Sequence, residues 1–389
     1  MHVGVVAYEM EGESTGVGRY LAGLLAGVAE VAPPWRWTLF FHGERFEHAL
    51  FDNLAFEPVF AGRAGRAPVW EQFALPSLIA RTGVDLVFSP SYSLPPAPVP
   101  GVVTVHDLSF ELRGGDFGLR ERWRRRLLAR RACQRAARVL ADTPAIRDQL
   151  VERYRLDAER VGVVPLGVDA AFRRAGAGAA GAPTGGTAAG VAAIADTAAH
   201  PAAPGELPPG VSPPYLLFLG TLLDRRNIPL LLEVFARLRR ERPELSLVLA
   251  GADRLRRRRG LGALLAGAGA GVIHLGYVPE ATVVPLYRGA ELSFYLSEYE
   301  GFGLPPLESL AAGTPAVVGP GLALDDLWPD YPYRCGELEP DEVTAVAADA
   351  LADSTARRRV AAEGVERMAG LTWRSSAERF LDELGRARR

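Results

Sequence analysis

Two patterns alternate along most of the chain: short runs of apolar residues, and longer segments in which apolar positions recur every three or four residues. The first pattern is typical of strands buried on both faces, and the second of amphipathic helices. Their alternation predicts parallel strands with helices on both faces of the sheet. In the first half, strands are predicted at 3–8, 37–41, 84–88, 102–105, 139–141 and 161–164, and helices at 15–29, 120–137 and 144–153.

The second half repeats this alternation. Strands are predicted at 215–219, 245–250, 272–275, 292–296 and 316–318. Helices are predicted at 228–240, 280–288, 305–312, 341–352, 354–368 and 373–387. The two halves therefore predict two α/β domains of the same type.

Between the halves lies a segment of low complexity. Residues 175–213 consist almost entirely of Ala, Gly, Pro and Thr, and such a composition buries too little apolar surface to offset the cost of ordering. The sequence thus predicts two doubly wound, Rossmann-like domains, at 1–174 and 214–371, joined by a linker at 175–213. We expect the domains to face each other across a cleft, and ligands to bind there at the carboxyl ends of the strands.

Composition narrows the class of protein. A chain of 389 residues with 48% hydrophobic and 23% charged residues is typical of globular proteins, and a net charge of −2 gives no general reason to expect nucleic-acid binding. No apolar run reaches 18 residues, and the first ten residues lack the features of a signal peptide. The two cysteines, Cys133 and Cys335, match no metal or redox spacing, which favours a reducing, cytoplasmic location.

The positive charges are unusual because the chain contains no lysine, so all 44 cationic residues are arginine. Nine of them lie between Arg120 and Arg138, interleaved with apolar residues such as Trp123. A basic amphipathic helix can make peripheral contact with an anionic membrane, and a solvated surface helix is the alternative. The run lacks the aromatic interleaving of a nucleic-acid groove.

The segment with the clearest chemistry is 297–308, SEYEGFGLPPLE, which follows a predicted strand and opens a predicted helix. Gly301 and Gly303 allow the backbone to approach a ligand closely. The free N–H groups at the helix start favour an anion such as a diphosphate. Glu300 and Glu308 can accept hydrogen bonds from the vicinal hydroxyls of a ribose or a hexose. The alternative is a plain strand–turn–helix with two surface glutamates.

This segment resembles the E-x7-E signature of the retaining GT-B glycosyltransferases of family four (glycosyl transferases group 1). Residues 215–227, YLLFLGTLLDRRN, resemble the strand and phosphate loop of that family, and 274–279 resemble its loop around the base. Segments 15–20, 105–109 and 164–169 also match, in the family's order. The resemblance covers most of the chain outside the linker, and it implies a GT-B fold whose C-terminal helix, 372–389, crosses back to the first domain. It also implies that the first domain, 1–174, binds the acceptor and that the second, 214–371, binds the nucleotide sugar.

The resemblance also implies roles for residues of the second half. Glu308 holds the ribose hydroxyls, Glu300 contacts the transferred sugar, and the backbone of 302–304 lies along the sugar and phosphates. The donor-binding residues expected in this half are Thr221, Arg225, Arg226, Tyr277, Val278, Phe302, Gly303, Leu304 and Glu308. Arg226 stands where the family has a lysine, and Thr221 stands where a large branch has an arginine.

In the first half, the resemblance places Gly16 beside the donor phosphate and His106 near the reacting sugar, so His106 and Glu300 are the expected catalytic residues. Two arginines and a helix N-terminus can stabilise a leaving diphosphate without a metal. We therefore expect neither a metal nor a cofactor, with a nucleoside diphosphate sugar, GDP- or UDP-linked, as the substrate.

The predicted function is retaining transfer of a hexose, with mannose favoured, to a hydroxyl of a glycan or lipid-linked acceptor, in polysaccharide, glycolipid or other glycoconjugate synthesis. The expected location is the cytoplasm, including the inner membrane face. The alternative is a non-catalytic nucleotide-sugar or glycan-binding relative that regulates a transferase. A Rossmann oxidoreductase is disfavoured, because the segment around Gly16 lacks the third glycine of GxGxxG. The sugar, base and acceptor stay open.

Overall fold

The computed structural model describes residues 1–12, 16–62, 65–113, 115, 117–173, 206–255, 260–267 and 269–388. These residues form two compact units. Unit 1 comprises Met1–Gly167 and the C-terminal segment from Leu371, and unit 2 comprises the described residues from Val168 to Gly370. The predicted linker, 175–213, lies outside the described residues except for its last eight positions.

Unit 1 is built on a parallel sheet of seven strands. The strands are β1 (His2–Val6), β2 (Arg36–Phe41), β3 (Phe56–Phe60), β4 (Leu86–Ser89), β5 (Gly101–Val105), β6 (Arg138–Ala141) and β7 (Val161–Val163). The helices before the linker are α1 (Gly16–Val31), α2 (Ala67–Phe73), α3 (Leu75–Thr82), α4 (Ser109–Leu112), α5 (Leu119–Arg135) and α6 (Pro144–Tyr154).

The strand order of this sheet is β3-β2-β1-β4-β5-β6-β7. Its central strands are apolar and buried, as expected for a parallel sheet covered on both faces. The order reverses between β1 and β4, so the loops that follow these two strands diverge and leave a crevice at their carboxyl ends.

Unit 2 has a parallel sheet of five strands. They are β8 (Tyr215–Leu219), β9 (Ser246–Ala250), β10 (Val272–Gly276), β11 (Leu292–Tyr295) and β12 (Ala316–Val318), in the order β10-β9-β8-β11-β12. Its helices are α7 (Ala170–Arg173), α8 (Ile228–Glu241), α9 (Leu261–Gly267), α10 (Glu280–Gly289), α11 (Leu304–Ala311), α12 (Ala323–Leu327), α13 (Pro340–Ala352) and α14 (Ser354–Met368). Here the order reverses between β8 and β11.

The structure contains elements that the hydrophobic pattern did not predict, chiefly β3, α2 and α3. Strand β3 has the sequence FEPVF, and its proline is tolerated because β3 lies at the edge of the sheet. Each of the two helices has a proline in its first turn, where the missing N–H costs nothing. Short elements with proline carry too few periodic positions to be recognised.

The last helix, α15 (Trp373–Ala387), belongs to unit 1. The ring of Phe380 lies between those of Trp37 and Phe88, at centroid distances of 6.3 and 4.6 Å. Arg138 Nε donates to Glu383 Oε2 at 2.7 Å. Helix α7, by contrast, lies in unit 2, where Phe172 packs against Tyr287. The structural boundaries thus fall after Gly167 and Gly370, compared with 174 and 371 in the sequence-based division.

Close packing between α1 and α15 depends on small residues. A Cβ atom at Gly27 would collide with the backbone carbonyl of Trp373. We expect Gly27→Ala to lower the free energy of unfolding of unit 1 by about 1–3 kcal/mol, because backbone cannot yield as a side chain can. Denaturation followed by tryptophan fluorescence measures this, since five of the six tryptophans lie in unit 1.

Gly385→Ala in α15 is the matched control. A Cβ there would have no atom within 4 Å, so this variant should be neutral or slightly more stable because alanine favours helix. Equal stabilities of the two variants would contradict the packing explanation.

Candidate functional site

The crevice at the reversal point of the unit 2 sheet is formed by two loops, one after β8 and one after β11. The β8 loop runs from Gly220 through a 3-10 turn at Asp224–Arg226 to Asn227, which precedes α8. Asn227 adopts the left-handed conformation with φ of 51°, and its Nδ2 donates to the carbonyl of Leu296 at 3.1 Å. The backbone of Glu298 also donates to the carbonyl of Arg225 at 2.9 Å. The two loops are therefore joined by hydrogen bonds.

Glu300 lies between two arginines of the β8 loop. Arg225 Nη2 is 3.3 Å from Glu300 Oε2, and Arg226 Nε is 3.1 Å from Glu300 Oε1. Ser297 Oγ donates to the same Oε1 at 3.0 Å. Burial alone would raise the pKa of Glu300, but the positive charges of Arg226 and Arg225 outweigh it and lower this pKa to about 2. Glu300 is thus a carboxylate at every physiological pH.

Arg226 is enclosed by further contacts. Its Nη1 donates to the carbonyl of Thr221 at 2.8 Å, and its guanidinium carbon lies 5.3 Å from the centroid of the Tyr295 ring. Gly220 has a φ of 137°, and a Cβ there would lie 2.8 Å from Arg226 Nη1. A larger residue at position 220 would therefore be strained and would displace the guanidinium. Thr221 contacts Arg226 through its backbone carbonyl.

Helix α11 begins directly after Gly303, which caps it in the left-handed conformation with φ of 80°. Prolines 305 and 306 occupy the first turn, where no N–H donor is needed. Phe302 is buried, and its carbonyl accepts from the backbone of Ala323 at 3.0 Å. Glu308 lies inside the helix and is only 2% exposed. Burial of a carboxylate is unfavourable unless a hydrogen-bond partner or a ligand satisfies it.

The predicted base-reading residues follow β10. Tyr277 is 47% exposed and Val278 is buried. Nearby, His274 Nε2 lies 3.2 Å from the carbonyl of Gly251, which joins the ends of β10 and β9. The structure thus presents the Tyr277 side chain to solvent at the carboxyl end of the sheet. Whether its backbone reads a base stays a prediction.

In unit 1, Gly16 is the first residue of α1, and a Cβ there would have no atom within 4 Å. His106 directly follows β5, and both of its ring nitrogens have acceptors. Nδ1 lies 2.8 Å from Asp142 Oδ2, and Nε2 lies 2.9 Å from the carbonyl of Pro90. The Tyr20 ring packs edge-on against the imidazole, with centroids 4.5 Å apart.

The surroundings of His106 favour a protonated imidazole. Burial alone would lower the pKa of His106, but the charge and hydrogen bond of Asp142 outweigh it and raise this pKa above the ordinary value. The acceptors at both ring nitrogens also fix the orientation of the ring. Its role beside a sugar stays a prediction.

Sheet topology therefore brings together the predicted residues of the β8 and β11 loops, while Gly16 and His106 belong to unit 1. Several polar residues that complete these clusters are not among those predicted from the sequence. They are Tyr295 and Ser297 beside Glu300, Asp142 beside His106, and Tyr8, Glu71 and Ser93 at the unit 1 crevice. Tyr8, Asp142 and Ser297 closely follow strands, which is the signal that could have revealed them.

The arginine-rich segment forms α5, as predicted. Three of its arginines have partners within unit 1: Arg122 donates to the carbonyl of Phe110 at 3.1 Å, Arg125 pairs with Glu121, and Arg126 pairs with Glu111. Trp123 is 68% exposed, and the exposed arginines on the helix are Arg120, Arg130, Arg131 and Arg135. Peripheral membrane contact through this helix stays a prediction.

Comparisons with known proteins identify the family. Residues 202–364 match the family model described as Glycosyl transferases group 1, and residues 15–172 match that described as Glycosyltransferase Family 4. Together the two matches cover most of the chain. The chain therefore belongs to the group 1 glycosyltransferases, as the sequence motifs predicted.

Among curated relatives, O-antigen chain mannosyltransferase B of Escherichia coli is 29% identical over 170 residues, which is 43% of this chain and 45% of that protein. D-inositol 3-phosphate glycosyltransferase of Nocardia farcinica (strain IFM 10152) is 30% identical over 263 residues, 65% of this chain and 53% of that protein. The alignments thus span about half the length of these relatives.

Solved structures show the same fold at low sequence identity. Sucrose-phosphate synthase from Thermosynechococcus elongatus aligns with a TM-score of 0.70 at 17% identity, covering 99% of this chain and 98% of that one. Anabaena HepE, solved in complex with UDP-glucose, aligns with a TM-score of 0.67 at 14% identity, covering 99% of both chains. The prediction of two Rossmann-like domains of the GT-B type is confirmed.

Within the part of the chain that the structure describes, no helix is both long and apolar enough to span a bilayer. The same residues contain no cluster of three or more His, Cys, Asp or Glu side chains suited to hold a metal ion.

The His106–Asp142 pair makes a measurable prediction. Asp142→Asn should lower the imidazole pKa of His106 by more than about one unit, because burial then acts without the opposing carboxylate. Histidine-selective NMR over a pH series measures this directly among the six histidines. Because the pKa of His106 is higher in the folded than in the unfolded protein, the protonated ring stabilises the fold fully below the ordinary imidazole pKa. This stabilisation is lost as the pH rises through the pKa of the folded state.

Asp107→Asn is the control for this experiment, because Asp107 accepts from Ser109 rather than from the ring and acts on His106 only through its charge, so this variant should lower the pKa of His106 less. Equal pKa changes in the two variants would show that the raised pKa does not come from the Asp142 hydrogen bond.

Proposed function

We propose that this chain transfers a hexosyl group, with mannose favoured, from a nucleoside diphosphate sugar to an acceptor hydroxyl with retention of the anomeric configuration. The observation that carries the proposal is the convergence of Arg225, Arg226 and Glu300 at the unit 2 crevice, beside the start of α11. Polysaccharide, glycolipid or other glycoconjugate synthesis would use this reaction.

The charges of this cluster suit a leaving diphosphate. Two guanidinium groups and one carboxylate leave an excess of one positive charge in a largely buried position. A diphosphate would add hydrogen bonds to the same arginines, and a fixed cationic environment stabilises the charge that develops as the glycosidic bond breaks. The two arginines would supply the electrostatic stabilisation that a metal ion would otherwise provide. We therefore propose metal-independent catalysis without a cofactor.

The protonation states favour electrostatic catalysis over proton donation to the leaving group. With a pKa of about 2, Glu300 has no proton to give at neutral pH. Its oxygens can accept hydrogen bonds from the hydroxyls of the transferred sugar. Glu308, inside α11, would hold the ribose, and the backbone of 302–304 would lie along the phosphates. His106, oriented by Asp142, would lie near the sugar, and the raised pKa of its imidazole favours positive charge there.

Several relatives support the mannose preference and the nucleotide donor only by analogy. Curated relatives from Escherichia coli are named mannosyltransferases, and a structural neighbour was solved with UDP-glucose. Both GDP- and UDP-linked donors are therefore proposed, and the base would lie near Tyr277 and Val278. The acceptor would be a glycan or a lipid-linked sugar, and nucleic acid is not a proposed partner.

Nucleotide binding is the first test. Calorimetric titration with GDP, UDP, ADP and dTDP should show one nucleotide bound most tightly, with the same affinity when a chelator is present. Arg226→Ala should weaken that affinity about tenfold to a hundredfold, the range expected for losing hydrogen bonds from a charged group. Arg237→Ala removes an arginine of α8 that pairs with Glu233 and Asp341, and it should leave binding unchanged.

If no nucleotide binds, the donor site is assigned wrongly. Binding that depends on a divalent cation would contradict the metal-independent mechanism.

Turnover tests the reaction itself. Glu300→Gln keeps the shape of the side chain but removes its charge, so donor hydrolysis and transfer should fall about a hundredfold or more. Glu298→Gln changes an exposed carboxylate of the same loop and should stay within about twofold of the wild type. Proton NMR of the product should show the anomeric configuration of the donor.

An inverted product would contradict retention. Tight nucleotide binding with no hydrolysis or transfer would favour the alternative, a non-catalytic relative that acts as a regulatory partner.

A further inference from the structure

The imidazole of His106 is held by three different elements of unit 1. Its Nδ1 lies 2.8 Å from Asp142 Oδ2, just after β6, and its Nε2 lies 2.9 Å from the carbonyl of Pro90, just after β4. A carbonyl oxygen can only accept, so Nε2 carries a hydrogen and donates it to Pro90. The third contact is the ring of Tyr20 on α1, edge-on with centroids 4.5 Å apart. Asp142 and Pro90 hold the nitrogens, and Tyr20 holds the ring itself.

Tyr20 is itself fixed in the core. It is 1% exposed, and its hydroxyl lies 3.0 Å from Thr104 Oγ1 on β5. Side chains two residues apart along a strand share one face, and His106 follows Thr104 by two positions. Tyr20 therefore contacts both residues of this face. Its ring cannot tilt away from the imidazole without moving the hydroxyl away from Thr104.

The start of α15 restricts Tyr20 further. Trp373 is the first residue of that helix, and its ring centroid lies 6.3 Å from that of Tyr20. A Cβ atom at Gly23, on the turn of α1 after Tyr20, would collide with the indole of Trp373. The indole thus fills the space between the two helices here, and it leaves the Tyr20 ring little freedom to move.

These contacts give Tyr20 two physical effects on His106. An edge-on pair of rings is a favourable and directional arrangement, so it resists rotation of the imidazole in a way that a flexible aliphatic side chain cannot. The buried ring also keeps water from the hydrogen bond between His106 and Asp142, which is 2% exposed. A hydrogen bond shielded from water is stronger than one in water.

We propose that Tyr20 is a positioning residue for His106, which fixes the angle of the imidazole and shields its hydrogen bonds from water. Tyr20 acts on the reaction through His106. This inference rests on the proposed function, because the angle of the imidazole affects turnover only if His106 lies beside the reacting sugar.

The first readout is exchange of the Nε2 hydrogen of His106 with water, which needs no substrate. NMR of protein labelled with nitrogen-15 histidine follows this exchange, and the absence of the signal in His106→Gln assigns it. Tyr20→Leu removes the ring and should speed the exchange at least about tenfold, because the hydrogen bond to Pro90 then opens more often. Tyr20→Phe keeps the ring and should stay within about threefold of the wild type.

The second readout separates kcat from KM. Misplacing a group beside the reacting atoms slows the chemical step, so kcat at saturating donor should fall about tenfold in Tyr20→Leu. Donor KM and nucleotide affinity should stay within about twofold, since the proposed nucleotide-binding residues belong to unit 2. Tyr20→Phe should retain at least about a third of the wild-type kcat.

Leu25→Ala is the matched control. Leu25 is also fully buried on α1, five residues further along the helix. This variant empties a core position and should lower the stability of unit 1, but it should leave both the exchange and kcat within about twofold of the wild type. Should Tyr20→Leu fail to fold, Tyr20→Met replaces it, because methionine fills irregular gaps in a core without offering a ring.

Unchanged exchange of the Nε2 hydrogen in the variants that lack the ring, or an equal acceleration in Leu25→Ala, would overturn the proposal. A kcat in Tyr20→Phe as low as in Tyr20→Leu would also overturn it, since the ring would then not be the group that matters. Absence of transfer in the wild type would instead contradict the proposed function, while the exchange experiment still decides whether Tyr20 positions the imidazole.

Discussion

The ion pairs of Glu300 with Arg225 and Arg226 determine how the unit 2 crevice is organised. They connect the loop after β8 with the loop after β11, and all three side chains are largely buried. Removing one partner of a buried ion pair leaves an uncompensated charge, which is strongly unfavourable. Each loop therefore depends on the other for its position, and the start of α11 is placed by the same contacts.

Both units follow one topological rule. Where the strand order reverses, neighbouring loops diverge, and in each unit a buried glutamate connects them: Glu300 between β8 and β11, and Glu71 between α2 and the loops after β1 and β4. The partners differ, since arginines surround Glu300 and hydroxyl and amide groups surround Glu71. The same backbone architecture thus places a buried glutamate at each crevice, with cationic partners in unit 2 and uncharged partners in unit 1.

The absence of lysine has a structural consequence at Arg226. Its guanidinium donates to both Thr221 and Glu300 and lies over the Tyr295 ring. An ammonium group would act as a point charge and could not match this planar arrangement. The contact also explains why position 220 is a glycine, because the guanidinium occupies the space that a Cβ would need. Arginine is therefore accommodated by several neighbouring residues together.

The sequence by itself determined the strand–helix alternation, which is typical of parallel sheets, and the loops that carry the family motifs, because both are patterns of residues close together in the chain. It missed β3, α2 and α3, whose short, proline-containing segments show little periodicity. Only the tertiary structure decided the partners of His106, Glu71 and Arg226. Asp142 lies 36 residues from His106, and Glu71 lies 63 residues from Tyr8. Such pairs form only when strand order brings distant loops together, and local patterns contain no information about that order.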